Sequence, residues 1–227
     1  MEIVHSMGRE GASRARGTVI VIDVLRSFTV SAFALAGGAR ECLLVPTVAG
    51  AVRLAEQIPE SVVCAEEDGL PVEGIAISNS PTLVRQAQLA GRTLIQRSSA
   101  GTPVMAAVPP GRPMFAASLV VARATAQACL LRRPRTVTLI ASADFIEDHA
   151  CARYLEALLQ GDEVELEGLL QPLRASERYR HFASGEWPGF PPTDLDLSLS
   201  PDRFDFAMPV TREVSYLRLT RIDQAEG

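Results

Sequence analysis

From Thr18 onward, short β-branched apolar runs alternate with Ala- and Leu-rich stretches of helical period, which restricts the chain to βαβ units around a mainly parallel sheet. The predicted strands are TVIVID (18–23), ECLLVP (41–46), SVVCAE (61–66), RTLIQR (92–97), PMFAAS (113–118) and TVTLIAS (136–142). Their unbroken apolar character suits strands covered on both faces. Helices are expected near 27–37, 47–58, 81–90, 101–108, 118–132 and 146–160. The third carries its own start and stop signals, with Ser80 at the N-cap, Pro81 in the first helical position and Gly91 just past the end. The expected fold class is α/β, a three-layer αβα arrangement with a mainly parallel sheet.

After about residue 160 the texture turns acidic and Pro-rich, in GEWPGFPPTDLDLSLSPDRFDF, and then strand-like in VTREVSYLRLTRI. The expected division is a main domain, 1–160, carrying the site, and a C-terminal α+β extension, 161–227, packing on it as a lid, a sheet extension or an oligomer contact. Trp187, Phe190 and Phe204 would suit packing against a second subunit, so a homodimer is expected.

Composition narrows the function classes. The chain has 227 residues, 47% hydrophobic and 22% charged, with 27 acidic against 22 basic side chains. That is the make-up of a globular protein, and it lacks the basic block that would follow a nucleic-acid backbone. Four scattered cysteines, Cys42, Cys64, Cys129 and Cys151, show no zinc-ligand spacing and read as buried thiols of a reducing compartment. No apolar stretch has the length of a membrane span, nor the first residues the pattern of a signal peptide. A cytoplasmic protein with neither membrane nor nucleic-acid partner is expected.

In an open α/β sheet, ligands bind beyond the carboxyl ends of the strands, where helix N-termini present free N–H groups. The polar residues of this chain gather there: Asp23 and Arg26 after the first strand, Glu66 to Asp68 after the third, Arg97 to Thr102 after the fourth, Ser118 after the fifth, and Ser142, Asp144, Glu147 and Asp148 after the sixth. Each has an ordinary local reading. Asp23 would serve equally well as a helix cap or a partner of Arg26, the acidic run after the third strand as a solvated turn, and Glu147 and Asp148 as first-turn acids. Their common location instead suggests a hard divalent cation beside an anionic ligand. Neither GxGxxG nor GxxxxGK[ST] occurs, which argues against dinucleotides and P-loop nucleotides.

These segments resemble the 2-phosphosulfolactate phosphatase family, the Mg2+-dependent phosphatases of coenzyme M biosynthesis. The resemblance runs through Asp23-Val24-Leu25-Arg26-Ser27-Phe28-Thr29, through AEEDGLPVEGIAISNSP with Glu66, Gly69, Gly74, Asn79, Ser80 and Pro81, through Ser98-Ser99-Ala100-Gly101-Thr102, and through Glu147-Asp148 with Ala152. It departs at Ala76, Ala100 and Val121. The resemblance implies a phosphatase acting on a small phosphorylated carboxylate or sulfonate. Arg26, Arg97, Ser98, Ser99, Gly101, Thr102, Asn79 and Ser80 would bind the substrate. Asp23, Glu66, Glu147 and Asp148 would serve Mg2+, and Asp23 with Arg26 would be catalytic. A metal-free enzyme acting on a small acid, or a small-acid binding protein, remains an alternative reading of the same residues.

Overall fold

The computed structural model describes residues 1–223. In chain order it runs through β1 (Glu2–Met7), α1 (Gly8–Ser13), β2 (Thr18–Ile22), α2 (Ser27–Ala36), β3 (Glu41–Leu44), α3 (Val48–Gln57), β4 (Ser61–Glu67) and β5 (Leu70–Pro71). It continues with α4 (Pro81–Gln86), β6 (Thr93–Arg97), α5 (Gly101–Ala107), β7 (Met114–Ala117), a 3-10 turn (Leu119–Val121), α6 (Ala122–Leu131), β8 (Thr136–Ala141) and α7 (Ile146–Gln160). The last third holds α8 (Leu166–Ala175), α9 (Glu177–Ser184), α10 (Thr193–Ser198), β9 (Phe206–Arg212), β10 (Leu217–Leu219) and β11 (Ile222–Asp223). Among the described residues no helix is long and apolar enough to cross a membrane.

The strands form one sheet in the order β1-β8-β2-β7-β9-β10-β3-β6-β4-β5, with β11 pairing β9. Two parallel groups, β1-β8-β2-β7 and β3-β6-β4, are joined through the antiparallel strands β9 and β10. The C-terminal strands therefore sit in the middle of the sheet.

Helices cover both faces. Val19 and Val21 of β2 face a core shared with α2, α4 and α5, while Ile20 and Ile22 face a second core built with α6, α7 and α8. This is the period-2 alternation of a strand whose two sides are both buried. On the β3-β6 half, α3 closes a smaller cluster around Leu43, Val45 and Ile95.

Helix α2, SFTVSAFALA, is buried on every side up to Leu35, as expected of a helix apolar around its whole circumference. Its surroundings imply that the sheet curls. On a flat sheet, β2 and β6 would lie five strand spacings apart, about 24 Å. Yet Ser27, at the start of α2, donates from Oγ to Ser98 Oγ just after β6 at 3.0 Å. The sheet bends around α2 and carries the carboxyl ends of β2, β4 and β6 to one place.

All six predicted strands and five of the six predicted helices occur within a few residues of their expected bounds, and the sixth region, 118–132, divides into the 3-10 turn and α6. The largest boundary difference is in α4. Its N-terminus is as expected, with Ser80 Oγ accepting from the Leu83 N–H, but the helix stops at Gln86 instead of near 90. Ala87 is extended, and Gly91, with φ +72°, donates its N–H to the Gly38 carbonyl at 2.9 Å. That tertiary bond replaces a further helical turn.

Candidate active site

Beyond Ile22, the Asp23 N–H still bonds the Ala117 carbonyl of the neighbouring strand, and its side chain turns back onto the helix that follows. Asp23 Oδ1 accepts from the Ser27 N–H at 2.9 Å, and a second backbone N–H reaches the carboxylate from Gly101 at the start of α5. Asp23 is thus both a cap and a cavity residue. Burial raises its pKa to about 6, against the lowering effect of these two N–H groups and with smaller upward contributions from Glu66 and Glu147.

Arg26 does not pair with Asp23. Its Nη1 donates to the Gly189 carbonyl at 2.6 Å and to Asp194 Oδ2 at 3.0 Å, Nη2 reaches the Gly69 carbonyl at 3.4 Å, and the guanidinium lies over the Phe190 ring. The peptide linking Leu25 to Arg26 is cis. Asp194 also accepts from Ser80 Oγ and the Thr82 N–H through its other oxygen. One buried carboxylate therefore ties Arg26 to the N-terminus of α4.

Asp23 and Arg26 line a cavity of about 250 Å3 together with Glu66, Asn79, Ser98 and Ser99. Behind Ser98 lies a buried polar chain: Ser98 Oγ donates to Thr102 Oγ1 and accepts from Ser27 Oγ, while Gln96 Nε2 donates to the Ser27 carbonyl and to Asn79 Oδ1. These satisfied groups hold Asn79 and Ser98 against the cavity.

Arg97, Gly101 and Thr102 do not line the cavity and reach it only through residues that do. Arg97 donates to the Glu66 carbonyl and to Ser99 Oγ. Glu66 accepts the Ser99 and Gly69 N–H groups, one on each oxygen, and Ser99 Oγ as well. The N–H groups of Ser99, Gly101 and Thr102, expected to face a phosphate, bond Glu66, Asp23 and Ser98 Oγ respectively.

Asp148 accepts the Val24 N–H at 2.8 Å on Oδ1, and the Ser142 N–H and hydroxyl on Oδ2. It pins the end of β2 to the end of β8. Burial, and next the Asp23 charge, push its pKa well above the usual carboxylate range. Glu147 is fully enclosed, with Oε1 accepting from Arg178 and Oε2 bearing no hydrogen-bond partner among the described residues.

The opposite wall of the cavity comes from Phe145 and from residues whose part was not evident in the sequence: Arg178, Phe182, Trp187 and Phe190. Trp187 and Phe190, read as candidates for a subunit contact, face inward. Phe190 stacks on Phe182 at 4.0 Å, and Trp187 packs against Phe182 and His181. The aromatic cluster within SERYRHFASGEWPGF was the available signal. Of the positions that depart from the resemblance, Ala100 lines the cavity, Val121 is fully buried and Ala76 is exposed.

An α/β sheet with carboxylate, arginine and hydroxyl side chains converging beyond its strand ends is the arrangement in which α/β enzymes place their sites. The family model for 2-phosphosulpholactate phosphatase matches residues 5–172. The chain belongs to that phosphatase family. It is 28% identical over 207 residues, 89% of this chain and 91% of the relative, to a protein of Bacillus subtilis strain 168 named "Probable 2-phosphosulfolactate phosphatase". Proteins with the same name from Carboxydothermus hydrogenoformans and Synechococcus sp. strain RCC307 are 33% and 31% identical over 144 and 169 residues. Those matches cover 62% and 71% of this chain, and 60% and 69% of the relatives.

Proposed function

We propose that the chain hydrolyses the phosphomonoester of a small organic acid, 2-phosphosulfolactate or a close analogue, with Mg2+ as its cofactor. The observation that carries the reading is the placement of Asp23 and Arg26, three residues apart, on the wall of one cavity within the family-matched stretch. Phosphoryl transfer needs neutralised phosphoryl oxygens and an oriented nucleophile. Arg26 stands at the cavity wall with its charge shared with buried Asp194, and the Asn79 amide lies on the same wall. Asp23, its carboxylate oriented on the cavity wall by the Ser27 N–H, is placed to orient an attacking water or to attack the phosphorus itself.

Among the described residues no group of three or more His, Cys, Asp or Glu side chains is placed to hold a metal ion. Mg2+ asks for less, since it usually keeps several waters and takes one or two carboxylates together with a substrate phosphate. Glu66 and Asp148 have both oxygens engaged by N–H groups, whereas Glu147 keeps a buried oxygen without a partner and adds to the negative charge around Asp23. Asp23, on the cavity wall, and Glu147, enclosed nearby with one oxygen to spare, would hold Mg2+ directly or through its water shell. Bound there, Mg2+ would offset charge on the phosphoryl oxygens.

The test is phosphate release from a monoester panel that includes 2-phosphosulfolactate, with Mg2+ and with a chelator. Release from 2-phosphosulfolactate that chelation abolishes, and that falls by about two orders of magnitude or more in Asp23→Asn, is the expected result. No release from any member of the panel would overturn the reading in favour of a binding protein. Release unaffected by chelation would remove the metal from it.

A further inference from the structure

We propose that Arg178 is a specificity-determining residue of this cavity: it binds the second oxyanion, carboxylate or sulfonate, of a phosphorylated acid whose phosphoryl end meets Arg26. The inference rests on the phosphatase reading above and assigns the other end of the substrate.

Two guanidinium groups line the cavity, and one continuous stack holds them both. Arg178 sits 4.0 Å from the Phe145 ring centre and 4.7 Å from that of Phe182, Phe182 stacks on Phe190 at 4.0 Å, and Arg26 lies 4.2 Å from Phe190. The two rings restrict the plane of Arg178, and the N–H groups it does not give to Glu147 remain at its edge.

The two arginines differ in what they have left to give. Arg26 is almost wholly buried, its charge matched by a buried Asp194 and its N–H groups shared among Asp194 and two carbonyls. Arg178 directs Nε and Nη2 at one oxygen, Glu147 Oε1, and its Nη1 has no hydrogen-bond partner among the described residues. Its side chain is 30% exposed, on the cavity wall. A guanidinium with a free, oriented edge is suited to a second oxyanion at the far side of a small substrate.

The family match ends at residue 172, so Arg178, Phe182, Trp187 and Phe190 lie beyond it, whereas Asp23, Arg26, Glu66, Asn79, Ser98 and Ser99 lie within it. The wall beyond the match is carried by α9 and the loop that follows.

The competing role is structural, with Arg178 doing no more than neutralising Glu147. Arg178→Gln and Arg178→Lys separate the two, since lysine keeps the charge opposite Glu147 but loses the planar fork. The readout is kcat/KM for 2-phosphosulfolactate relative to p-nitrophenyl phosphate, which has no second oxyanion. That ratio is expected to fall about tenfold or more in Arg178→Gln, mainly through KM, and by less in Arg178→Lys. An equal loss on both substrates, or a loss confined to kcat, overturns the proposal.

Calorimetric titration with sulfolactate and with inorganic phosphate gives a readout that needs no turnover. Sulfolactate affinity is expected to drop about tenfold more than phosphate affinity in Arg178→Gln. Sulfolactate binding that depends on Arg178 in a protein that hydrolyses nothing would keep this inference and remove the phosphatase reading. Hydrolysis with sulfolactate binding indifferent to Arg178 would do the reverse.

Discussion

Arg26 Nη1 and Asp194 Oδ2 lie 3.0 Å apart, both buried, across 168 residues of chain. Burial lowers the pKa of Arg26, and Asp194 offsets most directly the cost of keeping it charged. The pair fastens the loop after β2 to α10, and through Ser80 and Thr82 to the start of α4. Asp194→Ala would leave a guanidinium enclosed without its counter-charge, a change that costs about 3–5 kcal/mol. Urea denaturation of the variant should show that loss as a lower midpoint at unchanged m-value. A loss under about 1 kcal/mol would mean that water reaches Arg26 and that the pair is not closed.

Gly101 touches Asp23 so closely that a Cβ added there would stand 2.7 Å from Asp23 Oδ2. Its φ is not in the left-handed region, so alanine meets no backbone penalty; the added Cβ would crowd the Asp23 carboxylate first and also stand 3.2 Å from Phe28 Cζ in the core. Gly101→Ala should displace Asp23 from its Ser27 and Gly101 N–H donors and lower kcat by about a hundredfold, the scale set by misplacing a catalytic group by about an ångström. The melting temperature should fall as well, through the crowding of Phe28. Steady-state turnover near wild type would show that Asp23 is not held in its working position by α5.

Asp148 receives three donors, from Val24 and twice from Ser142, and lies behind the cavity wall. Asp148→Asn keeps the shape but offers a single acceptor oxygen and turns an amide N–H2 toward an N–H donor. At least one buried donor is left unsatisfied, at about 1–3 kcal/mol. At this chain length each kcal/mol corresponds to about 2–4 °C in Tm, which calorimetry resolves. A variant that melts with the wild type would show that these three bonds do not hold the β2 and β8 ends together.

The half of the fold built from β-branched runs was legible because strands buried on both faces carry a strong local pattern. For the same reason DVLR stood out, as charge placed where such a run ends. What escaped was set by distant contacts. β1, EIVHSM, is an edge strand with alternating exposure and reads as an undistinguished N-terminus. β9 contains Pro209 opposite Phe115, and proline argues locally against a central strand, so the expected strand began only at Val210. Among the site residues, Asp194 in TDLDLS looks like a first-turn acid, and Arg178 in SERYRH like a solvated face. Neither stretch signals the cavity on its own, since both acquire their place through the stack of rings and the pairing with Arg26 and Glu147.

The position of β9 and β10 carries a consequence for where the chain can be cut. β9 pairs with β7 and β10 with β3, so these two strands supply the hydrogen bonds that join the two parallel groups. Without them, β7 and β3 would each present an open, fully apolar edge in the middle of the molecule. Phe206, Met208, Leu217 and Leu219 would also be withdrawn from the core around α2. A chain ending after residue 205 should therefore fail to fold, giving a non-cooperative denaturant transition and no dispersed amide spectrum, while the full chain unfolds in a single step. Residues 206–223 supplied as a separate peptide should restore pairing in part, detectable as recovered near-ultraviolet dichroism. A cooperative, soluble fold of the shortened chain would show that the first 205 residues close their own sheet, and that the C-terminal hairpin is an addition to it.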